Sequence, residues 1–290
     1  MFEMILQSLY SGLLQGGSYA LIALGLALVF GTMKIINLAH GELVLLAAYI
    51  AYTIESSFDM NPVLAIPLAV VIVCLSAVAI YFLISMIKKD REINSLILTY
   101  GVGIMLTNLI LMIWSADVHS SGSSWFQEAM VIGPLYSMRS EVVFFAVAMV
   151  LLAGLWWWLS RSWYGRALRA VSSNRDAARL MGINPRSTEI ISFVIAGLLA
   201  SFAGIALFSY GVIQPSGGHS LTVKAFVITV LAGIGSIPGV LVGALLLGIT
   251  EALTATLASS ALQELVAMLF FLAVLFAMPN GLFGSAGRRG

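Results

Sequence analysis

Charge is what this chain has least of. Asp, Glu, Lys and Arg make up 9% of its 290 residues, against the ~25% of an ordinary soluble domain. A soluble fold must cover its surface with polar groups, so the deficit excludes one. There is one cysteine, Cys74, inside an apolar run; it leaves no internal disulfide and no thiolate metal cluster. Histidine is scarce too, with His40, His119 and His219 only. A zinc helix needs two histidines at i, i+4 around a glutamate, so the HGE of 40–42 is no metalloprotease motif and no metal site is assigned. His119 and His219 are expected in outward loops, with nothing bringing them to His40. No serine–base or paired-aspartate arrangement lies in the apolar runs, so no catalytic residue is assigned and an intramembrane enzyme is disfavoured. A GxxxxGK[ST] phosphate loop is missing as well; ATP and its Mg would be handled by another polypeptide, and no cofactor is assigned to this chain. The net charge of +1 gives nucleic acid nothing to bind.

What the chain does have is apolar length. Hydrophobic residues make up 60% and the mean hydropathy is +1.03. Runs exceed the ~18 residues that read as a transmembrane helix. Spans are predicted at 5–31, 38–54, 62–87, 93–115, 141–160 and 189–212, then a Gly-interrupted region 223–258 and a last span 262–279. The first has an acid and no Lys or Arg before it, the wrong flank for a cleaved signal peptide. Lys/Arg-rich loops belong in the cytoplasm, which puts Lys34, Lys88, Lys89, Arg91 and Arg161 to Arg186 inside and the N-terminus outside. Arg288 and Arg289 ask for a cytoplasmic C-terminus. That requires an extra crossing, supplied by a helix break at Gly233, Gly235, Pro238 and Gly239; 223–235 alone is short for a span, so it crosses or re-enters. All basic residues but Arg139 and Lys224 then lie inside. The fold class predicted is all-α: a polytopic transmembrane helical bundle of eight to nine segments, N-terminus outside, C-terminus cytoplasmic, in one domain over 1–290.

Small residues recur four apart: Ala23, Ala27, Gly31; Ala196, Ala200, Gly204; Gly239, Gly243; Ala244, Gly248, Ala252. In lipid such spacing lets helix backbones approach closely, and packing inside one subunit is favoured over a dimer seam. No repeat between the two halves is legible.

Polar residues inside apolar spans have two readings. An acid such as Glu42 costs at least ~2.5 kcal/mol at membrane depth if unpaired, so it faces protein or water. Asn37, His40 and Gly41 are spaced i, i+3, i+4 and would share a helical face. Either Asn37 caps a helix starting at Leu38, with His40 and Glu42 making structural bonds, or Asn37, His40, Gly41 and Glu42 line a translocation path. Thr99, Asn108 and Thr250 read as interhelical bonds, and Glu251 as the carboxylate facing a water-filled space.

The long polar segment 161–188 carries six of the 14 basic residues. Within it Asn174 can cap a short helix, Arg175–Met181, with Asp176 in its first turn. Gly182 suits the left-handed stop, and Asn184 with Pro185 starts the next helix. Ala177, Leu180 and Met181 share one face, Arg175 and Arg179 another. This is either an apolar knob for a partner's groove or a basic loop resting on anionic headgroups.

The run NRDAARLMGIN, with FVIAGLLASFAGIA after Pro185, resembles the cytoplasmic coupling segment of ABC importer permeases of the branched-chain amino acid type, and more loosely the ribose type. ALIALGLALVFGTMKIINLAHGELVLLAAY at 20–49, LAGIGSIPGVLVGALLLGITEAL at 231–253 and FAMPNGLFG at 276–284 resemble the same family, in its order along nearly the whole chain; Met278 stands where the family usually has arginine. The resemblance implies a permease domain at the inner membrane, multi-pass, paired with a second homologous permease, two cytoplasmic ABC ATPases and an external or periplasmic solute-binding protein. It implies an ATPase-coupling role for Asn174, Arg175, Asp176, Ala177, Ala178, Arg179, Leu180, Met181 and Gly182, and docking of the binding protein on loops 116–140 and 213–222. The cargo it implies is a branched-chain amino acid, with another neutral amino acid, urea or a short amide as alternatives. A self-sufficient secondary transporter or channel, relaying a coupling ion through Glu42 and Glu251, would leave the arginine-rich helix without a task.

Overall fold

The computed structural model describes residues 1–233 and 235–283. Ile234 and 284–290 lie outside the described residues, and with them Arg288, Arg289 and the last residue of FAMPNGLFG. Helices account for most of the described chain: α1 Phe2–Met33, α2 His40–Phe58, α3 Ile66–Ser85, α4 Arg91–Trp114, α5 Ser124–Gln127, α6 Arg139–Arg161, α7 Trp163–Ser173, α8 Arg175–Leu180, α9 Pro185–Tyr210, α10 Gly218–Ala232, α11 Ile237–Leu257 and α12 Gln263–Ala277. Two short antiparallel ribbons sit outside the bundle. In one, β1 (His119–Ser120) pairs with β4 (Val212–Ile213), His119 opposite Ile213; in the other, β2 (Ala129–Ile132) pairs with β3 (Leu135–Met138), Ala129 opposite Met138. Among the described residues, seven helical stretches are long and apolar enough to cross a membrane. The protein is a polytopic all-α bundle.

The chain breaks where its residues demand. Asn61 Oδ1 accepts from Val63 N at 2.9 Å and Pro62 opens the turn into α3, the residue pair that suits a helix start. Gly233 (φ 84°) ends α10, Gly235 (φ 83°) turns the chain, and Ser236 Oγ accepts from Gly239 N at 3.1 Å with Pro238 in the first turn of α11. Left-handed positions like these favour glycine.

Two faces of the bundle differ. One carries the α3–α4 joint, the whole α6–α9 connection and the α10–α11 turn, where Gly235 lines one cavity with Leu168 and Arg169 of α7; it is the basic face. The other carries the ribbons, with Gln7 at the start of α1 bonded to Tyr136 and Glu55 near the end of α2 bonded to Ser121 and Gly122.

The two halves are related, although no repeat shows in the sequence. Each of α1–α4 and α9–α12 is a long helix, a break, a helix that starts inside the bundle, and two further helices. α1 packs chiefly on α11 as α9 packs on α3, α10 lies on α1 as α2 lies on α9, and α2 meets α10. The halves run in opposite directions, α2 towards the ribbon face and α10 towards the basic face. This is an inverted structural repeat of the kind known in transporters. Glycine lets its long helices touch. A Cβ on Gly248 of α11 would run into the Gly12 carbonyl of α1, and one on Gly204 of α9 into the Val44 carbonyl of α2. Gly204 and Gly248 belong to the small-residue rows, which here serve packing within one chain; Gly12 was not in any row.

Candidate functional site

Two places hold the polar chemistry: a corner on the basic face, and the inner starts of α2 and α10. At the corner, Ser162 Oγ caps α7 by accepting from Gly165 N at 3.0 Å. This amphipathic helix was not anticipated, because its start reads as a continuation of α6. Tyr164 packs with Leu28 and Leu159, and its hydroxyl donates to Thr188 O (3.0 Å) and lies 2.7 Å from Ser192 Oγ. Burial pushes that hydroxyl up to about 12, against the opposing pull of the Ser192 bond.

The short helix α8 forms as its residues dictate. Asn174 Oδ1 accepts from Asp176 N (3.1 Å) and Ala177 N (2.9 Å), occupying two donors that the first turn leaves free. At the other end Gly182 has φ 80°, its N–H donates to Arg179 O (3.1 Å), and Ile183 N donates to Ala178 O (3.0 Å). That is the paired closure of a glycine-stopped helix. Asn184 Oδ1 then accepts from Arg186 N at 3.0 Å and Pro185 opens α9. Ala178 is buried against the protein, while Leu180 is 88% and Met181 82% exposed. Beside them an open groove of about 500 Å³ runs past Arg175, Arg179, Asn184 and Arg186.

One residue of this corner escaped the sequence reading. Glu189, in the second turn of α9, is 1% exposed and gathers Arg175 of α8 (Nε–Oε1 3.0 Å), the Tyr81 hydroxyl of α3 (3.1 Å to Oε2) and, more distantly, Arg91 of α4 (3.9 Å). A lone acid directly after an arginine-rich stretch was the available signal.

At the inner site, α2 starts at His40, and Asn37 lies ahead of it in non-helical chain. Asn37, His40 and Gly41 therefore do not share a helical face. Asn37 Oδ1 accepts from Ala39 N (3.1 Å), Leu38 N donates to Thr99 Oγ1 (3.1 Å), and Gly41 N donates to Thr222 Oγ1 (2.8 Å). These side chains satisfy the backbone of a broken crossing, as buried N–H groups require. His40 is 1% exposed and its Nε2 donates to Ile22 O at 2.9 Å. Ile22 lies about 16 Å from the Met33 end of α1 at ~1.5 Å per residue, so α2 begins well inside the bundle. Gly41 packs on Gly218, the first residue of α10, so closely that a Cβ on Gly41 would collide with the Gly218 carbonyl. A Cβ on Gly218 would collide with the Glu42 carboxylate. Glu42 is 5% exposed and lines a cavity of about 150 Å³. His219 lines it too; it is a first-turn residue of α10 beside the α2 start, not a residue of an outward loop.

Glu251 and Lys224 also stand apart from expectation. Lys224 is in α10, inside the bundle, not outside it: its Nζ lies 2.9 Å from both Glu251 oxygens. Tyr19 donates to Glu251 Oε2 at 2.6 Å and accepts from Lys224 (2.9 Å) and Gln15 (2.7 Å). Glu251 is 2% exposed. The lysine, unseen as a partner because it sits 27 residues away on another helix, removes the reason to place this carboxylate in water; it ties α11 to α10 and α1. Among the described residues, no group of three His, Cys, Asp or Glu is gathered as a metal site.

An inverted pair of halves around two broken helices, with a rigid helical corner on the basic face, defines a membrane transport subunit of the permease class. The family model described as "Branched-chain amino acid transport system / permease component" matches residues 8–278, and the chain belongs to that family. It is 32% identical to the high-affinity branched-chain amino acid transport system permease protein BraD of Pseudomonas aeruginosa, over 96% of this chain and 95% of that one. Against the corresponding LivH of Escherichia coli the identity is also 32%, over 98% and 96%. The ribose import permease protein RbsC of Escherichia coli is 28% identical over 93% and 85%. Among solved structures, PsaBC from Streptococcus pneumoniae in complex with Fab superposes with a TM-score of 0.53 at 14% identity, covering 94% of this chain and 93% of that one; it shares the fold.

Proposed function

We propose that this chain is the permease subunit of a binding-protein-dependent ABC importer, carrying a branched-chain amino acid inward across the inner membrane. Residues 1–290 form one permease domain, with 161–188 its coupling segment. The N-terminus is outside and the basic face is cytoplasmic, in line with the Lys/Arg rule. A second homologous permease completes the path, two ABC ATPases supply ATP and Mg chemistry, and an external binding protein delivers cargo to the ribbon face. Asn37, His40 and Gly41 shape the inner end of α2, Glu42 lies on the path, and Glu251 is a structural ion-pair member. Urea, a short amide or another neutral amino acid is the alternative cargo.

The observation that carries this reading is the knob on α8. Leu180 and Met181 are almost fully exposed on a helix fixed at both ends, and its strut, from half-exposed Arg175 to buried Glu189, leads into α9, α3 and α4. An apolar pair held so rigidly in water fits a groove of a separate motor, whose closure would rock the helices as rigid bodies. Leu180→Asp is expected to abolish leucine uptake by cells carrying the whole importer, with the permease still at wild-type level in the membrane. Uptake at the wild-type rate would refute the docking role. Nucleotide-independent uphill leucine transport by the chain alone in liposomes would favour the secondary-transporter reading instead.

A further inference from the structure

The cavity between α2, α4 and α10 is lined by Glu42, Tyr100, Gly103, Ile104, Thr107 and His219. Tyr100 and Ile104 are about half exposed, so it opens on the uncovered flank of α4. Glu42 is nine-tenths buried or more, and its Oε2 has no hydrogen-bond partner among the described residues. The carboxylate sits in the first turn of α2 and against Gly218 at the first turn of α10. The positive ends of two helices thus already face it, and the Thr107 hydroxyl reaches it from the cavity side; what Oε2 lacks is a donor of its own. A buried carboxylate oxygen left without a donor at this depth is a functional group by default.

Resting on the permease reading above, we infer that this cavity is a mid-path station for the ammonium group of a small α-amino acid, with Glu42 as its acceptor. The Thr107 hydroxyl and the His219 ring supply further polar edges, and Gly103 and Ile104 the apolar wall. A volume near 150 Å³ admits a molecule about the size of benzene, enough for the ammonium-bearing head of an amino acid whose side chain extends past Tyr100 and Ile104 through the open flank. Hydrogen bonds between charged partners are roughly twice as strong as neutral ones. The site therefore discriminates against urea, amides and sugars, which bring donors without charge. Glu42 discriminates by charge, Thr107 and Ile104 by room.

The test uses the full chain in membrane vesicles, with Cys74→Ala removing its one thiol and Thr107→Cys placing another in the cavity. A cationic methanethiosulfonate reagent is expected to label Thr107→Cys at least tenfold faster than an anionic one of similar size. Millimolar leucine or alanine should slow labelling several-fold, and urea should not. Glu42→Gln should erase both the reagent preference and the protection. Ile104→Cys serves as a second labelling position should the first variant fail to accumulate. No labelling at either position, equal rates for the two reagents, or protection by urea as strong as by leucine would each overturn the inference. Uptake in the Leu180→Asp cells reads the permease assignment separately: persistent uptake there with intact protection here would sink the motor-driven reading and leave the station standing, and the reverse pattern would do the opposite.

Discussion

Arg175 on α8 meets Glu189 on α9 through two contacts, Nε to Oε1 at 3.0 Å and Nη2 to Oε2 at 3.2 Å. A bidentate guanidinium–carboxylate pair fixes angle as well as distance. The arginine is half exposed and the glutamate almost fully buried, so the strut runs from the surface of the corner into the bundle. A six-residue helix is thereby tied to the long helices instead of hanging on two loops.

On the coupling role proposed for the corner, loosening that strut should separate motor from path. With Glu189→Gln the side chain keeps its shape but loses its charge. The assembled importer is expected to go on hydrolysing ATP while leucine uptake falls at least tenfold. A parallel fall in both activities would show that the pair matters for assembly instead of transmission.

The Lys224–Glu251 pair should behave as a buried ion pair does. Removing one partner strands the other, at a cost on the order of 3 kcal/mol, whereas replacing both by apolar residues is far milder. Glu251→Ala is expected to lower the thermal midpoint in detergent well below that of the double variant Lys224→Met with Glu251→Leu. Equal losses would mean that the two side chains are not coupled.

Gly41→Ala probes the contact between the two inner helix starts. The added methyl meets backbone on the other side, at the Gly218 carbonyl, which has no rotamer to give way. Overpacking of this kind costs about 1–3 kcal/mol. Reduced folded yield and a lower midpoint are expected, and a wild-type midpoint would refute the closeness of the contact.

Tyr164 gives the corner a pH signature. Its hydroxyl is raised in the folded protein to about 12, chiefly by burial. A group raised on folding contributes stability that is full below the unfolded value near 10 and declines as pH climbs through the folded one. Stability at the α7–α9 contact should be flat across neutral pH and fall between roughly 10 and 12. Tyr164→Phe should remove that alkaline fall, as followed by hydrogen exchange at α7 amides; an unchanged fall would assign it to another group.

How much of this was legible depended on range along the chain. The caps of α8 and α9 are written by Asn174, Gly182 and Asn184 within a few residues of the bonds they make, so sequence sufficed. The turn at Gly233 and Gly235 was readable for the same reason. The depth at which a helix begins is not local. Nothing in GGHSLTV says that α10 starts inside the bundle, because that is set by Gly218 packing on Gly41, 177 residues earlier by numbering and on another helix. Lys224 and Glu251 were both visible, but their pairing needed α10 and α11 laid side by side. The inverted repeat was invisible because apolar helices in lipid can exchange one aliphatic side chain for another and keep the same path.

The two inner helices start back to back and end at opposite faces, with little more than Gly41, Gly218 and the Thr222 hydroxyl between their origins. Such a junction works like the pin of a pair of scissors. Prising it sideways swings one blade toward the ribbon face and the other toward the basic face, so a single lateral displacement at the junction reaches both ends of the protein at once.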